Sequence, residues 1–520
     1  MPNPADYGDP MTSDAPSTGP SAPRTPRTIL HPGAVISRAD WPTEGEVRSV
    51  HVIRIGGAGM SAVGRLALEA GLTVSGSDSQ DGQFIAPLRD AGARITIGFD
   101  AAALADDVDV VVVSTAVRGD NPEVRAARER GVPVVHRAAA LAGLLADREL
   151  VAVAGTHGKT STTGMAVMAL RGAGEDPAWA LGAAVPDLGR NAGFSAAAEL
   201  GQQPAAAGTA VIEADESDGS FLAFTPASLV VTNLEPDHLD FHGDAAALTA
   251  AFDAAVARLR PGGTLVVCTD DTGARSLGER AAADGVAVTT YGADAAADWR
   301  ILDERGGAGG TETELETPHG RLRLELSVAG HHNVLNALGA LAATSAVAPQ
   351  ADLGALAAGL SAFTGAARRF DVAGVAGDVT VVDDYAHHPR EVSATLAAAR
   401  GIVEAQQRGG RVLAVFQPHL FSRTRDFAAD FATALASADR AWVMPVYAAR
   451  EDPDPSTDAR TITDHLTDDR VRPLTDRDQV PAAVREAARP GDLLLMLGAG
   501  DVVETTPEVM AVLNTPREQG

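Results

Sequence analysis

Leu150-Val151-Ala152-Val153-Ala154-Gly155-Thr156-His157-Gly158-Lys159-Thr160-Ser161-Thr162 runs from an apolar stretch through a glycine-flanked loop into the start of a helical pattern. Strand, loop and helix in that order form a phosphate cradle: backbone amides and the helix N-terminus favour anions, a lysine reaches the terminal phosphates, and the next hydroxyl faces Mg2+. The first glycine stands three residues before the second, so this loop is shorter than the common five-residue spacing. Gly155, Thr156, His157, Gly158, Lys159, Thr160 and Ser161 are therefore expected to hold the phosphates of a nucleotide. Lys+Arg number 42, and Lys159 is the only lysine among them. A guanidinium fork cannot copy a compact ammonium in a tight pocket, so the one position that retains lysine is expected to carry chemistry.

Outward from this loop, short β-branched runs alternate with Ala/Leu-rich helical patterns, which predicts βαβ units and parallel sheets. One series covers His51–Ile55, Leu72–Ser75 and Val108–Ser114. A second adds Ala210–Glu213, Leu229–Thr232 and Thr264–Cys268 to the phosphate-loop strand. A third covers Val379–Val382, Val412–Phe416, Ala441–Val446 and Leu493–Leu497. Alternating charged and apolar residues between Asp298 and Val328 predict a small antiparallel hairpin region closing the middle of the chain. At about 150 residues per domain, 520 residues suggest three domains. The expected boundaries are 47–147, 148–364 and 365–520, after a Pro/Ser/Thr/Asp-rich leader, 1–46, too poor in apolar residues to offset its ordering entropy.

In such sheets ligands gather beyond the carboxyl ends of strands, so the polar residues after each run are the candidates. Gly57, Ala58, Gly59, Met60 and Ser61 follow the first strand in a G-x-G-x-x-A turn, with Asp78 about 20 residues on, a pattern that suits a nucleotide diphosphate. Four carboxylates, Glu213, Asp215, Glu216 and Asp218, follow the run Ala210–Ile212; they read as a solvated turn or, beside a phosphate loop, as a source of a metal or water ligand. His238 and His242 stand at i, i+4, a spacing open to zinc, but without the HExxH context that would support it. Asn333 reads as a helix N-cap, whereas Asn336, one turn on, is better suited to the edge of adenine. Asp384-Tyr385-Ala386-His387-His388-Pro389 and Gln417-Pro418-His419-Leu420-Phe421-Ser422-Arg423 end two further runs and suggest a substrate surface, with Arg423 and Arg425 supplying positive charge.

Composition excludes several classes. A net charge of -27 opposes a nonspecific nucleic-acid surface. Cys268 is the only cysteine, which rules out an internal disulfide and any cysteine-cluster metal site. No apolar run approaches the roughly 18 residues of a membrane span, and the N-terminus lacks a secretory apolar segment, so a cytoplasmic protein without membrane insertion is expected.

From about residue 48 onward the ordered set of motifs at 56–61, 155–160, 213–218, 233–238, 330–336, 384–389 and 416–419 closely resembles the Mur ligase family. The resemblance implies an α/β fold of three domains: a Rossmann-like N-terminal domain, a central P-loop ATPase domain and a Rossmann-like C-terminal domain that closes over the site. It implies an ATP-dependent, amide-forming ligase of peptidoglycan synthesis that uses Mg2+, with UDP-N-acetylmuramate and L-alanine as substrates, acting as a monomer or weak homodimer. On that resemblance the nucleotide held by Gly155 to Ser161 is ATP, Gly57 to Ser61 and Asp78 hold the UDP group, and Lys159, Glu216 and His238 are catalytic. Thr160, Glu216 and His238 hold metal, with Glu216 favoured over Glu213. Asn333 and Asn336 read adenine, Arg369 approaches the phosphates, and Tyr385, His387, His419 and Arg423 face the muramoyl or alanine groups. With Lys159 committed to phosphate, no lysine remains for the carbamylated lysine of some sister ligases. The chain departs from the family pattern at Leu420, where a basic residue is common and for which Arg425 is a candidate substitute. The competing readings are a muropeptide-recycling ligase of the same family, an NAD-dependent oxidoreductase built on the first glycine turn, and a non-catalytic ATP-binding regulator.

Overall fold

The computed structural model describes residues 38–42, 46–195, 208–307, 310–449, 451–467 and 469–515. Most of the leader therefore lies outside the described residues, but its end does not behave as composition suggests. Arg38–Asp40 form a short 3-10 turn, and the Trp41 indole packs on the helix Arg137–Leu144 against Gly143, where a Cβ would stand 2.3 Å from the ring. One aromatic seated on a bare helix face orders this segment ahead of the expected boundary.

Three sheets follow one another along the described chain. The first holds five parallel strands, β1 (Ser49–Ile53), β2 (Thr73–Asp78), β3 (Arg94–Ile97), β4 (Val110–Val113) and β5 (Val134–His136), in the order β3-β2-β1-β4-β5. The second holds β6 (Arg148–Ala154), β7 (Ala178–Val185), β8 (Arg190–Gly193), β9 (Gly208–Glu213), β10 (Ser228–Val231), β11 (Thr264–Cys268), β12 (Ala287–Gly292), β13 (Trp299–Gly307), β14 (Gly310–Thr317) and β15 (Gly320–Leu326). Its order is β15-β14-β13-β12-β11-β10-β6-β9-β7-β8, which puts the phosphate-loop strand β6 between β10 and β9. The third, β16 (Asp371–Ala376), β17 (Val379–Asp384), β18 (Val412–Phe416), β19 (Arg440–Val443), β20 (Val471–Pro473) and β21 (Leu493–Leu497), is ordered β16-β17-β21-β18-β19-β20.

The predicted hairpin region is a three-stranded antiparallel extension of the main sheet, joined where Tyr291 of β12 pairs in parallel with Trp299 of β13. In β14 buried Thr311, Thr313, Leu315 and Thr317 alternate with exposed Glu312, Glu314 and Glu316, the period-2 pattern of a strand with one wet face. Strand β6 is instead buried on both faces: Val151 and Val153 pack into one apolar cluster, Ala152 and Ala154 into another. That second cluster continues into the first domain through Val50, Val63 and Leu141, so the first two domains share a core. The third domain keeps its own clusters around Phe416, Phe431, Leu494 and Val480. It meets the central domain mainly through polar groups, the kind of interface that permits relative motion.

Candidate active site

Because β9, β6, β10 and β11 run parallel and adjacent, their carboxyl ends deliver Glu213, the Gly155–Thr160 loop, Thr232-Asn233 and Asp271 to one edge of the sheet. Gly155 (φ 126°) and Gly158 (φ 82°) adopt the left-handed region, and a Cβ on either would fall 2.2 Å from Thr232 Oγ1 or 2.5 Å from Asn336 Oδ1. Both glycines are thus required by backbone conformation and by close approach. The loop is braced from β10. The His157 N–H donates to Asn233 Oδ1 at 2.8 Å, while Asn233 Nδ2 and Thr232 Oγ1 donate to the His157 carbonyl at 3.0 and 2.6 Å.

Lys159 folds back over this loop. Its ammonium donates to the carbonyls of Gly155 (2.6 Å) and Thr156 (3.1 Å) and stands 2.9 Å from the Glu216 carboxylate. Against the cost of burial, Glu216 and the neighbouring acids raise the Lys159 pKa, so it stays charged. Burial lifts Glu216 to about 7 despite the ammonium beside it. Thr160 Oγ1 donates to Glu213 Oε2 at 2.9 Å, so of the two glutamates it is Glu213 that touches the loop hydroxyl and Glu216 that touches the lysine. His238 Nε2 lies 4.0 Å from Glu216, and its Nδ1 is buried without a partner. His238 is held at φ 53°, costly for a residue with a Cβ, and its N–H is taken by Asp237 Oδ1 at 2.7 Å. His242, by contrast, bonds the Glu216 carbonyl through Nε2 at 2.8 Å.

A cleft opens beside the loop, lined by Gly158, Thr160, Ser161, Asn333, Asn336 and Arg369 among others, so that loop glycine, hydroxyls, amides and a cation face one concave space. Asn333 is not the helix cap expected from sequence: Gly330, at φ 100°, caps the helix His331–Val347, and Asn333 Nδ2 donates to the Ala329 carbonyl at 2.9 Å. Asn336 Nδ2 donates to Asn333 Oδ1 at 3.3 Å, and its Oδ1 rests against Gly158. Arg369 enters the cleft from a strained connector in which Arg368 and Phe370 both have positive φ, and lies 3.6 Å from Glu391. At the cleft's rim His331 pairs with Asp270 and Glu304, which raise its pKa from 6.5 to about 9. With the folded value above the unfolded one, this stabilisation is complete below pH 6.5 and is lost as pH rises through about 9. The half-exposed pair is worth roughly 0.5–1 kcal/mol. His331→Gln is therefore expected to lower urea stability by that amount at pH 6 and to match the parent near pH 10.

The third domain contributes Tyr385, His387 and His419 as one aromatic group. The His387 ring lies 5.2 Å from Tyr385 and 5.7 Å from His419, and His419 stacks on Tyr447. Burial pushes His387 down to about 3. Arg423 is not presented as a free cation: it is buried and donates to Asp237 Oδ1 at 2.6 Å across the domain boundary. Asp237, despite burial, is held well below the usual carboxylate range by His238 and Arg423. Leu420 is buried at φ 72°, and Arg425 pairs with Asp454 on the exposed side, so Arg425 does not replace a basic side chain at 420.

In the first domain the turn at 56–61 opens the helix Ala58–Glu69. Asp78 accepts from Gly56 N at 2.8 Å through Oδ2 and from Ser79 N at 2.7 Å through Oδ1, so it pins the turn. Met60 and Ser61 are buried, and Asn191 of the second domain donates to Ala58 O (2.7 Å) and Ser61 Oγ (3.0 Å). Several residues at the site were not singled out from sequence. Arg137 packs on Gly59 and pairs with Asp215 at 2.8 Å, and Asp237 anchors Arg423. Glu391 joins His157 and Arg369, while Arg390 reaches Asp271 at 3.0 Å. Each is an ordinary helix or loop charge in sequence, and only Glu391, three residues after His388 at a helix start, carried a local signal.

Comparison with known proteins follows the same three-part division. Family models match as Mur ligase family, catalytic domain (49–149), Mur ligase middle domain (153–344) and Mur ligase, glutamate ligase domain (368–500). A UDP-N-acetylmuramate–L-alanine ligase of Kineococcus radiotolerans is 49% identical over 468 residues, covering 89% of this chain and 96% of that protein. The protein of the same name from Paenarthrobacter aurescens is 47% identical, covering 89% and 97%. Among solved structures, the UDP-N-acetylmuramate-alanine ligase of Thermotoga maritima is 28% identical with a TM-score of 0.72, covering 89% of this chain and 98% of that one. A murein peptide ligase from Psychrobacter arcticus, 23% identical with a TM-score of 0.65 over 91% and 100% of the two chains, shares the fold.

Proposed function

The chain belongs to the Mur ligase family, and from that premise we propose that it joins L-alanine to the carboxylate of UDP-N-acetylmuramate at the expense of ATP, a step of peptidoglycan precursor synthesis. The observation that carries the reading is the chain's only lysine, seated in the glycine loop whose Gly158, Thr160 and Ser161 line the cleft. Among the described residues no helix is long and apolar enough to cross a membrane; a cytoplasmic enzyme, monomeric or weakly dimeric, is part of the proposal.

A carboxylate is a poor electrophile at neutral pH, so the muramoyl carboxylate first takes the γ-phosphoryl group of ATP. The resulting acyl phosphate is then attacked by the amine of L-alanine, with phosphate leaving. Two anions meet in the first step, and catalysis is mostly positioning and charge stabilisation. Lys159 leaves Glu216 for the β- and γ-phosphates, the amides of Gly158, Lys159 and Thr160 bind their oxygens while those of Thr156 and His157 hold the loop to Asn233, and Arg369 approaches from the connector. Asn333 and Asn336 border the adenine. Thr160, Glu216 and Glu213 offer the oxygen donors a hard cation prefers, so these residues fit Mg2+, and His238, with Nε2 4.0 Å from Glu216, borders the set and reaches the ion through water. When bound there, Mg2+ neutralises charge on the transferring phosphoryl group. Gly57, Ala58, Gly59, Met60 and Ser61 hold the UDP diphosphate, with Asp78 holding their turn. Tyr385, His387 and His419 border the acceptor, and Arg423 positions the His238 loop through Asp237. Closure of the 365–520 domain over the 148–364 domain excludes water from the acyl phosphate, with 47–147 carrying the UDP group.

ADP release measured with each substrate omitted in turn tests this. Turnover is expected only with ATP, UDP-N-acetylmuramate and L-alanine together. ADP release without alanine at the full rate, or a preference for a tripeptide acceptor, would sink the assignment.

A further inference from the structure

A second constellation lies beside the phosphate loop and is not used in the reaction above. His157, Glu235 and His388 each offer a ligand atom, and these atoms lie within 4.8 Å of one another. Three separate segments supply them: the phosphate loop, the chain after β10, and the residue that precedes the helix Pro389–Gln406. His157 Nε2 is 3.6 Å from Glu235 Oε2 and buried without a hydrogen bond. Its Nδ1 lies 3.1 Å from Glu391 Oε1. A proton on Nδ1 shared with that carboxylate leaves the Nε2 lone pair facing Glu235, the outer-shell arrangement that orients metal-binding histidines. Glu235 is held from its other oxygen by Arg390. His388 is 6% exposed; one ring nitrogen caps the following helix by accepting from the Glu391 amide, and the other has no partner. Its ring lies against that of His157 with centroids 4.7 Å apart. Two unsatisfied imidazole nitrogens facing one junction are unusual in a folded protein.

Two imidazoles and one carboxylate, with a carboxylate behind one imidazole, suit a borderline divalent ion such as Zn2+ better than Mg2+, which prefers oxygen ligands in octahedral geometry. Metal-ligand bonds of about 2.0–2.2 Å place tetrahedral ligand atoms roughly 3.3–3.6 Å apart, close to the observed His157–Glu235 separation. We propose that His157, Glu235 and His388 form a transition-metal site of the Zn2+ class, separate from the oxygen-rich set around Thr160, and that an ion there clamps the C-terminal domain to the phosphate loop. Two ligands come from the central domain and one from the C-terminal domain, so the ion binds the closed arrangement better than the open one and shifts the protein toward it.

Full-length protein stripped of metal is titrated with Co2+ in excess Mg2+, and the visible ligand-field absorption is followed. One equivalent is expected to give an intense band of the four- or five-coordinate kind, and added Zn2+ to abolish it. His388→Asn and, independently, Glu235→Gln are expected to lose the band and weaken Co2+ uptake at least about tenfold with unchanged far-ultraviolet circular dichroism, whereas Glu216→Gln keeps it. The absence of a band in the parent protein overturns the proposal. So does a band that survives in the folded variants, or one that disappears in Glu216→Gln.

Discussion

Lys159→Arg is expected to lower ligation by about 10²–10³-fold in kcat, the range seen when one preorganised donor is removed from a transition state, while leaving the protein folded. The ammonium occupies a notch between two loop carbonyls 2.6 and 3.1 Å away and a buried glutamate at 2.9 Å. A guanidinium keeps the charge but is planar and wider, and its donors diverge from a point that three short contacts converge on. Charge in the cleft is unchanged, so nucleotide affinity should fall far less than turnover. Steady-state ADP release with a parallel thermal melt separates the two. Turnover within threefold of the parent would remove Lys159 from the chemistry.

The second large effect concerns a residue that acts from the other domain. Arg423→Leu strands the Asp237 carboxylate in a buried interface, and breaking such a pair costs about 3–5 kcal/mol. Because the partners belong to different domains, the cost falls on closure, so we expect kcat/KM to drop by about 10²-fold or more with a nearly unchanged melting temperature. Adding Asp237→Asn to Arg423→Leu removes the uncompensated charge and should recover at least about tenfold of the loss. A residue that held substrate directly would show no such rescue. Failure of the double variant to recover activity would therefore return Arg423 to the substrate-contacting role expected from sequence.

The loop Gly155–Thr160 and its strand were legible because the motif is local: two glycines, a lysine and a hydroxyl act through a backbone shape that a few residues determine. The runs at Thr264–Cys268, Val412–Phe416 and Leu493–Leu497 coincide with β11, β18 and β21, since strands buried on both faces read as unbroken apolar stretches. Short or half-exposed strands such as β3, with burial only at Ile95 partly, and β20 left no such trace. Asn333 illustrates a local rule overruled: Asn is a good cap, yet only glycine enters the helix at φ 100°, so the cap moved to Gly330 and the amide turned inward.

By itself the sequence determined the three-part α/β plan, the phosphate loop and the kinds of groups after each strand, because periodicity and turn chemistry are encoded within a few neighbouring residues. Which of those groups meet was decided by the tertiary structure alone. Glu213 goes to Thr160 and Glu216 to Lys159, Asp78 goes to its own glycine turn, and Arg423 goes to Asp237 rather than to open cleft. Electrostatic pairing depends on distances of a few ångströms between residues up to 234 positions apart, and such distances exist only once the sheets have stacked and the third domain has closed.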